Sequence, residues 1–274
     1  MVKIIGSGRF GTALHTIMPK AKVLSSRDPF LEAWDDDIVF WAIPSNTIVE
    51  VLQKSSLHPK SLHIFCSKGL LPWGEHPLEF LNGRRDRAVK GIFMSGPSIT
   101  LERIPWGALC FTDHFPTEAY EELEDFQKHI CPIKVVPARQ LIAAAVLKNF
   151  AAFLTGYVHG DSGSNFASLV VTKFITLFQA LGFPEDVLPD LLLTCYHLDS
   201  NNHRAGYYLG ARTTDASPSI ESSELQCETL FSLEGAKIRW SGQLFNIISA
   251  IFSGERPRIP SLLKAISISE NTIS

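Results

Sequence analysis

Cysteine is scarce and unpaired in this sequence. Cys66, Cys110, Cys131, Cys195 and Cys227 are scattered through 274 residues, with no C-x-x-C pair and no His/Cys cluster at zinc spacing. That argues against a disulfide framework and a zinc module, and reduced thiols in a cytosol are the simplest account. An excess of one charge is also lacking. A net charge of −3 and a pI of about 6.3 give no bulk electrostatic reason to expect a nucleic-acid partner. No apolar run reaches the roughly 18 residues of a membrane span without a charge, because Lys148 and Lys173 interrupt the two best candidates. The chain opens straight on MVKIIGSG, so no cleaved leader is expected. Internal repeats and low-complexity segments are missing too. What remains is 45% hydrophobic and 19% charged, enough for a large core and two ordinary domains. The expectation is a soluble, cytoplasmic protein.

The amino-terminal half alternates strands and helices. Met1 to Ile5 is a short apolar run rich in β-branched residues and predicts a buried strand. Gly6-Ser7-Gly8-Arg9-Phe10-Gly11 follows at once, and residues 12–18 predict a helix. In G-x-G-x-x-G the first glycine permits a tight turn, the second lets backbone approach a pyrophosphate, and the third lets helix pack on strand. The anion would rest on the free N–H groups of the helix start. Between a strand and a helix the pattern points to a dinucleotide; a plain turn is the alternative. A second strand, Lys22 to Ser25, ends in Ser25-Ser26-Arg27-Asp28. Two hydroxyls and a guanidinium suit a 2′-phosphate, which favours NADP. Asp28 keeps NAD open, and a solvated turn before Pro29 is the other reading.

Asp37 to Ile43 is the clearest strand. It leads through Pro44 into a helix over 46–53 with Ser45 as its expected N-cap. Leu62 to Cys66 leads into Ser67-Lys68-Gly69, and Gly91 to Met94 into Ser95-Gly96-Pro97-Ser98. Both place small, polar or basic residues at a strand's carboxyl end, where open α/β sheets bind ligands. Gly107 to Thr112 and Ile133 to Val136 are further strand candidates, flanking an acidic helix over 116–129. After Val136 no strand pattern returns. The division expected is an α/β dinucleotide-binding domain over 1–136 and an all-helical domain over 137–274. Residues 211–224 read as a mobile loop and those from about Ile266 as a polar tail.

The helical half opens on an unusual segment. From Leu141 to Thr155 it is almost wholly apolar, with Lys148-Asn149 in its midst. A helix apolar on all sides is buried, and a lysine there needs a partner or sheds its charge, which suits a general acid or base. A lysine snorkelling to solvent is the bland reading. Asp190 and Thr194 stand four apart in a leucine-rich helix and so share a face. They would suit a partner for that lysine, and an N-cap is the alternative for Asp190. Ser200-Asn201-Asn202-His203-Arg204-Ala205-Gly206 reads as an anion-binding loop or a solvent-exposed turn.

The ordered segments GSGRFGTAL, VFWAIPS, SKGL, SGPSITLE, AVLKN, DLLLTC, SNNHRAG and SLEG resemble the NAD(P)-dependent glycerol-3-phosphate dehydrogenases, from Met1 to about Gly254. The resemblance implies a Rossmann domain with a mostly parallel sheet, then an all-α domain of the 6-phosphogluconate-dehydrogenase-like type. It implies hydride transfer between sn-glycerol 3-phosphate and dihydroxyacetone phosphate with NAD or NADP, and a place in glycerophospholipid metabolism. By position, Gly6, Gly8, Arg9, Phe10 and Gly11 match the pyrophosphate loop, with Pro44 after the third strand. Arg27 matches the recognition of the adenosine ribose or its phosphate. Lys68 matches the lysine near nicotinamide and substrate, and Gly96 and Ser98 the substrate-contacting Gly-Pro-Ser. Lys148 matches the catalytic lysine with Asn149 beside it, and Asp190 and Thr194 the groups that orient it. Ser200 and Asn202 match the phosphate loop, and Glu234 a cofactor-contacting glutamate. Lys68 would further disfavour the charge on Lys148, with Asp190 opposing that effect.

The chain departs from the pattern at Asn201, where the family has the arginine that pairs with the substrate phosphate, and Arg204 is the nearest replacement. Thr100, Ala145 and Pro189 also differ. Three readings follow: the glycerol-3-phosphate reaction, a dehydrogenase of another small phosphorylated or hydroxy-acid substrate, or a non-catalytic NAD(P)H-binding sensor. Pairing as a homodimer is expected from the fold analogy alone.

Overall fold

The computed structural model of the protein describes residues 1–25, 37–58, 60–83, 90–95, 110–111, 134–135, 137–212, 225, 227–269 and 273. Two compact units result, one of residues 1–68 and 75–142, the other of 69–74 and 143–274. Arg27, Gly96, Ser98, Thr100 and the acidic helix expected over 116–129 lie outside the described residues.

The first unit is a Rossmann-type α/β layer. Its elements in chain order are β1 (Val2–Ile5), α1 (Arg9–Ile17), β2 (Lys22–Leu24), β3 (Ile38–Trp41), α2 (Ser45–Lys54), β4 (Leu62–Phe65), α3 (Pro77–Gly83) and β5 (Lys90–Phe93). The five strands pair in the order β2-β1-β3-β4-β5, all parallel. Near-continuous apolar strands such as IVFW and LHIF are what a sheet covered on both faces requires. On one face Ile4, Ile38, Phe40, Leu62, Ile64 and Ile92 pack with Leu14 and Ile17 of α1. A separate two-stranded piece, β6 (Cys110–Phe111) with β7 (Lys134–Val135), is also parallel. The helix after β3 starts one residue earlier than its sequence suggests. Pro44, in extended backbone, is the cap, and Ser45 is the first helical residue, fully buried.

Polar residues inside this sheet are fully partnered. Lys3 and Asp37 form a buried ion pair at 2.5 Å. Trp41 Nε1–H on β3 donates to His63 Nδ1 on β4 at 3.0 Å, which leaves the Nε2–H of His63 to donate to Ser61 Oγ at 2.8 Å. Ser61 Oγ–H in turn donates to the His58 carbonyl. This chain holds a neutral imidazole, and burial pushes the His63 pKa down to about 3.

The second unit is all helical: α4 (Ala138–Ser162), whose first residues fall in the sheet unit, α5 (Ser164–Ala180), α6 (Leu188–Tyr196), α7 (Asn201–Gly210), α8 (Glu228–Trp240), α9 (Gln243–Phe252) and α10 (Ile259–Ile268). α4 is long and apolar enough to cross a membrane by length and composition, which the sequence reading discounted. Its most apolar stretch is wholly buried inside the protein. Phe150, Phe153, Phe174, Phe178 and Phe245 are fully enclosed, with Phe153 stacked on Phe252 and Phe150 edge-on to Phe245. Two sequence expectations change here. The segment 200–206 is the start of helix α7 rather than a loop, with Ser200 at its N-cap. The polar tail begins later than Ile266, which is fully buried in α10.

His63 predicts a pH signature for stability. Above about pH 6.5 the imidazole is neutral in folded and unfolded chains alike. As pH falls from 6.5 toward 3, the unfolded chain takes up a proton that the native protein refuses, so native stability declines over that window. In thermal melts at pH 7 and pH 4, the stability gap between the native sequence and His63→Gln should narrow at the lower pH. A gap independent of pH would contradict the neutral buried imidazole.

Candidate active site

The carboxyl edge of the parallel sheet is built to receive an anion. β1 runs into Gly6, whose φ is +110°, a backbone conformation open to glycine. A Cβ there would collide with the Ala42 carbonyl oxygen and meet Ile43 Cγ2 at 2.8 Å, and one at Gly11 would collide with the Gly6 carbonyl. A Cβ at Gly8 would meet nothing within 4 Å among the described residues. Two glycines therefore serve close packing, while the middle one leaves free space in front of the helix. Gly8 is the N-cap of α1, and the first turn carries no acidic residue. Its leading N–H groups lack partners within the helix. Backbone bonds from Gly6 N to the Leu24 carbonyl and from Ala42 N to the Ile5 carbonyl, both 2.8 Å, fix the turn. The cavity in front holds about 370 Å³ and is lined by Gly6, Ser7, Gly8, Ser25, Ala42, Ile43 and Pro44. Arg9 is exposed beside it, while Phe10 packs against the sheet core. A pyrophosphate fits this lining, which bears no carboxylate among the described residues.

β4 ends nearby. Ser67 Oγ donates to the Ile43 carbonyl at 2.9 Å, and His76 Nε2–H donates to the Ser67 carbonyl at 2.9 Å. Lys68 follows, half-buried. The next residues, 69–74, belong to the helical unit. There Leu70 N–H donates to Ser232 Oγ at 3.0 Å and Arg239 donates to the Gly74 carbonyl at 3.1 Å. A side chain at Gly235 would collide with the Leu71 carbonyl. Thus Ser232 and Gly235 of the SLEG segment grip the residues that follow Lys68. Glu234 between them points outward and pairs with Lys237 at 3.0 Å.

Within the helical unit, Lys148 does not snorkel. It is 3% exposed and forms an ion pair with Asp190, itself 6% exposed. Asp190 sits in the first turn of α6 and spends its side chain on the lysine rather than on a cap. Thr194 Oγ–H donates to the Asp190 carbonyl at 2.7 Å, one turn back, leaving its lone pairs to accept. Cys195 beside them is fully buried, and burial pushes its thiol up to about 12, so it is inert.

Next to Lys148 lies a buried clamp. Asn202 Nδ2 donates to Asn149 Oδ1 at 3.2 Å, and its Oδ1 accepts from the Thr229 backbone N–H at 2.9 Å. Thr229 Oγ1 lies 2.9 Å from both Asn202 Oδ1 and the Asn149 carbonyl. Asn202 thereby satisfies an orphan N–H in the first turn of α8, a capping role supplied from another helix. Its polar atoms are engaged within the protein. Ser200 is buried, whereas Asn201 and Arg204 stand three apart on the exposed side of α7.

Four glycines make this arrangement possible. Side chains at Gly156 and Gly160 of α4 would collide with the His203 and Tyr207 carbonyls, and side chains at Gly206 and Gly210 of α7 with those of Phe153 and Tyr157. The two helices touch backbone to backbone. Sequence reasoning missed this contact and missed Thr229. The paired G-x-x-x-G spacings, 156–160 and 206–210, were the available signal.

No protein-family model matches the sequence, and no curated protein matches it. Solved structures do. A Plasmodium falciparum glycerol-3-phosphate dehydrogenase superposes with a TM-score of 0.65 at 12% identity, covering 96% of this chain and 94% of that one. The GPDH of Dunaliella salina gives 0.72 at 12% identity, with 98% of this chain spanning 60% of that one. A PanE/ApbA-family ketopantoate reductase from Ralstonia eutropha gives 0.51 at 11% identity, with 100% and 99% covered. This chain has the glycerol-3-phosphate dehydrogenase fold. At these identities the likeness is one of fold: a Rossmann-type unit followed by a helical one.

The glycine contact predicts a sharp contrast in stability. Gly206→Ala should lose about 2 kcal/mol or more in urea unfolding, because the colliding atom is backbone and cannot rotate away. Gly83→Ala, whose Cβ would meet nothing within 4 Å among the described residues, should stay within about 1 kcal/mol of the native protein. Equal effects at the two positions would refute the close packing of α4 and α7.

Proposed function

We propose that this chain is a divergent member of the NAD(P)-dependent glycerol-3-phosphate dehydrogenase family and reduces a small ketone, with Lys148 as the proton donor. The observation that carries this reading is the buried Lys148–Asp190 ion pair. Burying two charges costs several kcal/mol, and an apolar pair of similar volume would often be as stable or more so. A charged amine held in a leucine- and phenylalanine-rich helix therefore argues for chemistry. The second buried pair, Lys3–Asp37, joins the amino ends of β1 and β3, away from the edge where open α/β sheets bind ligands, and is read as structural.

A bound nicotinamide dinucleotide would supply the hydride. Gly6, Gly8 and Gly11 would hold its pyrophosphate, with Arg9, Phe10 and Pro44 around the turn. Arg27 favours the 2′-phosphate of NADP over NAD. Contributions from Lys68, Gly96 and Ser98 near the reacting carbon, and from Glu234 at the cofactor, rest on the resemblance. Asp190 keeps Lys148 in its ammonium form, ready to give a proton to the carbonyl oxygen. In the oxidative direction the neutral amine takes the hydroxyl proton back. Such help is worth about 10²–10⁴-fold in rate. Asn149 and Asn202 fix the lysine's helix, Thr194 can accept from a substrate hydroxyl, and Ser200 and Arg204 are the groups left to meet a substrate anion.

Asn201 favours a second reading, in which the ketone carries a carboxylate rather than a phosphate. An amide replaces a bidentate guanidinium–phosphate contact poorly. Dihydroxyacetone phosphate and ketopantoate, each with NADPH and NADH, separate the two.

Oxidation of NADPH with dihydroxyacetone phosphate is the primary test. Lys148→Met should bind NADPH as the native protein does and lose turnover by about 10²-fold or more. It leaves Asp190 unpaired and should also be destabilised, whereas Lys148→Met/Asp190→Leu should recover stability without recovering turnover. Native turnover in Lys148→Met would end the proposed role. Gly8→Ala tests the cofactor half. With open space at its Cβ, the variant should melt like the native protein yet bind NADPH at least tenfold more weakly. Unchanged affinity would remove the pyrophosphate from this turn.

A further inference from the structure

The outer side of α7 builds a second cavity that shares only Arg204 with the residues given to the proposed chemistry. It holds about 580 Å³, and its lining includes His159, His203, Arg204, Tyr207, Tyr208 and Arg212. None of Lys148, Asn149, Asp190, Thr194 and Asn202 lines it, and neither does any carboxylate among the described residues.

Its polar groups are set by what already holds them. The Cys195 carbonyl lies 2.7 Å from His203 Nδ1 and can only accept, so that nitrogen carries the proton and Nε2 is an acceptor. Burial holds His203 below the usual histidine range, in keeping with a neutral ring. His159 Nδ1, 3.4 Å from His203 Nε2, is then the donor of that contact. The His159 ring also lies edge-on to Tyr207, centroids 5.1 Å apart. Arg212 stacks over the Tyr208 ring at 4.5 Å, and its Nη2 donates to the Tyr208 hydroxyl at 2.7 Å. The other terminal nitrogen, Nη1, is buried without a hydrogen-bond partner among the described residues.

A buried guanidinium N–H with no acceptor is costly, and such groups are rare in folded proteins. Here its residue, Arg212, lines a cavity walled by phenol and imidazole rings, with a second guanidinium, Arg204, on the lining. An acceptor supplied by a bound molecule would satisfy Nη1, and an anionic one would make a charge-assisted bond. Rings as neighbours favour a ligand with a flat apolar body, which stacks against them. We propose that this cavity binds a small aromatic anion, a carboxylate or phosphate monoester, at a site separate from the Lys148–Asp190 centre.

Titration calorimetry on the full chain with phenyl phosphate and benzoate tests the assignment. At least one of them should bind one per chain, ten times or more tighter than phenol or inorganic phosphate, which each carry half of the required chemistry. Arg212→Gln should weaken that binding tenfold or more, and Tyr208→Leu should weaken it too. Arg212→Lys, which keeps the charge without the planar fork, should fall between native and glutamine variants, and it serves if Arg212→Gln does not fold. Lys148→Met should bind the aromatic anion like the native protein whether or not the dehydrogenase reading holds. Absence of binding, equal binding by Arg212→Gln, or displacement of the bound anion by dihydroxyacetone phosphate would each overturn the separate site.

Discussion

Backbone contact between α4 and α7 is the constraint on which the helical unit depends. Gly156 and Gly160 face Gly206 and Gly210, and no Cβ fits at any of the four. Helices packed through ordinary side chains sit 8–10 Å apart; glycines on both sides remove that spacer. Only then can Asn202 on α7 reach Asn149 on α4 and at the same time meet the first turn of α8 at Thr229. The clamp fixes the residue next to Lys148, and a lysine that must present its amine at one point needs its helix fixed. The same contact places Tyr207 and His203 against His159, so one pair of helices shapes both the Lys148 centre and the aromatic cavity on the far side of α7.

The two buried lysines show that burial alone does not identify chemistry. Lys3 and Lys148 each pair with an aspartate and are almost equally enclosed. What separates them is location. Lys3 closes the amino end of a sheet whose ligand edge is the other one. Lys148 stands in the apolar, buried middle of α4, with a hydroxyl, an inert thiol and an amide network around it. In a medium of low dielectric, Asp190 is what keeps that amine charged against its own desolvation. In the proposed reaction such a pair would serve as a proton donor, which suits reduction better than oxidation.

Much of the fold was legible because its signals are local. Short apolar runs gave β1, β3, β4 and β5, and G-x-G-x-x-G gave a turn whose three glycines have three different surroundings in the structure. Lys148 was legible as an oddity in an apolar helix, and Asp190 as a carboxylate among leucines. The misreadings share a cause. The segment 200–206 is polar and looked like a loop, but its polarity belongs to two faces of one helix: Asn202 turned inward to a network, Asn201 and Arg204 turned outward. Periodicity over so few residues cannot separate those faces, and Thr229 and His159, which complete the picture, lie 27 and 44 residues away in sequence. The glycine pairs were visible as spacing, yet nothing in one helix says which other helix supplies the matching pair.

Asn201 brings these threads together. In the resembling family an arginine at this position meets the substrate phosphate, and here the nearest guanidinium is one turn on, at Arg204, on the same exposed side of α7. Asn202 cannot compensate, because releasing its side chain to a substrate would orphan the Thr229 N–H and the Asn149 amide in a buried setting, at about 1–3 kcal/mol for each group left unpaired. In the proposed reading, Lys148 and its aspartate keep their place while the end of the site that would meet the substrate anion departs from the family pattern. A helix that keeps its inward face for structure has only its outward face free to vary, and on α7 that is where the arginines and tyrosines have collected.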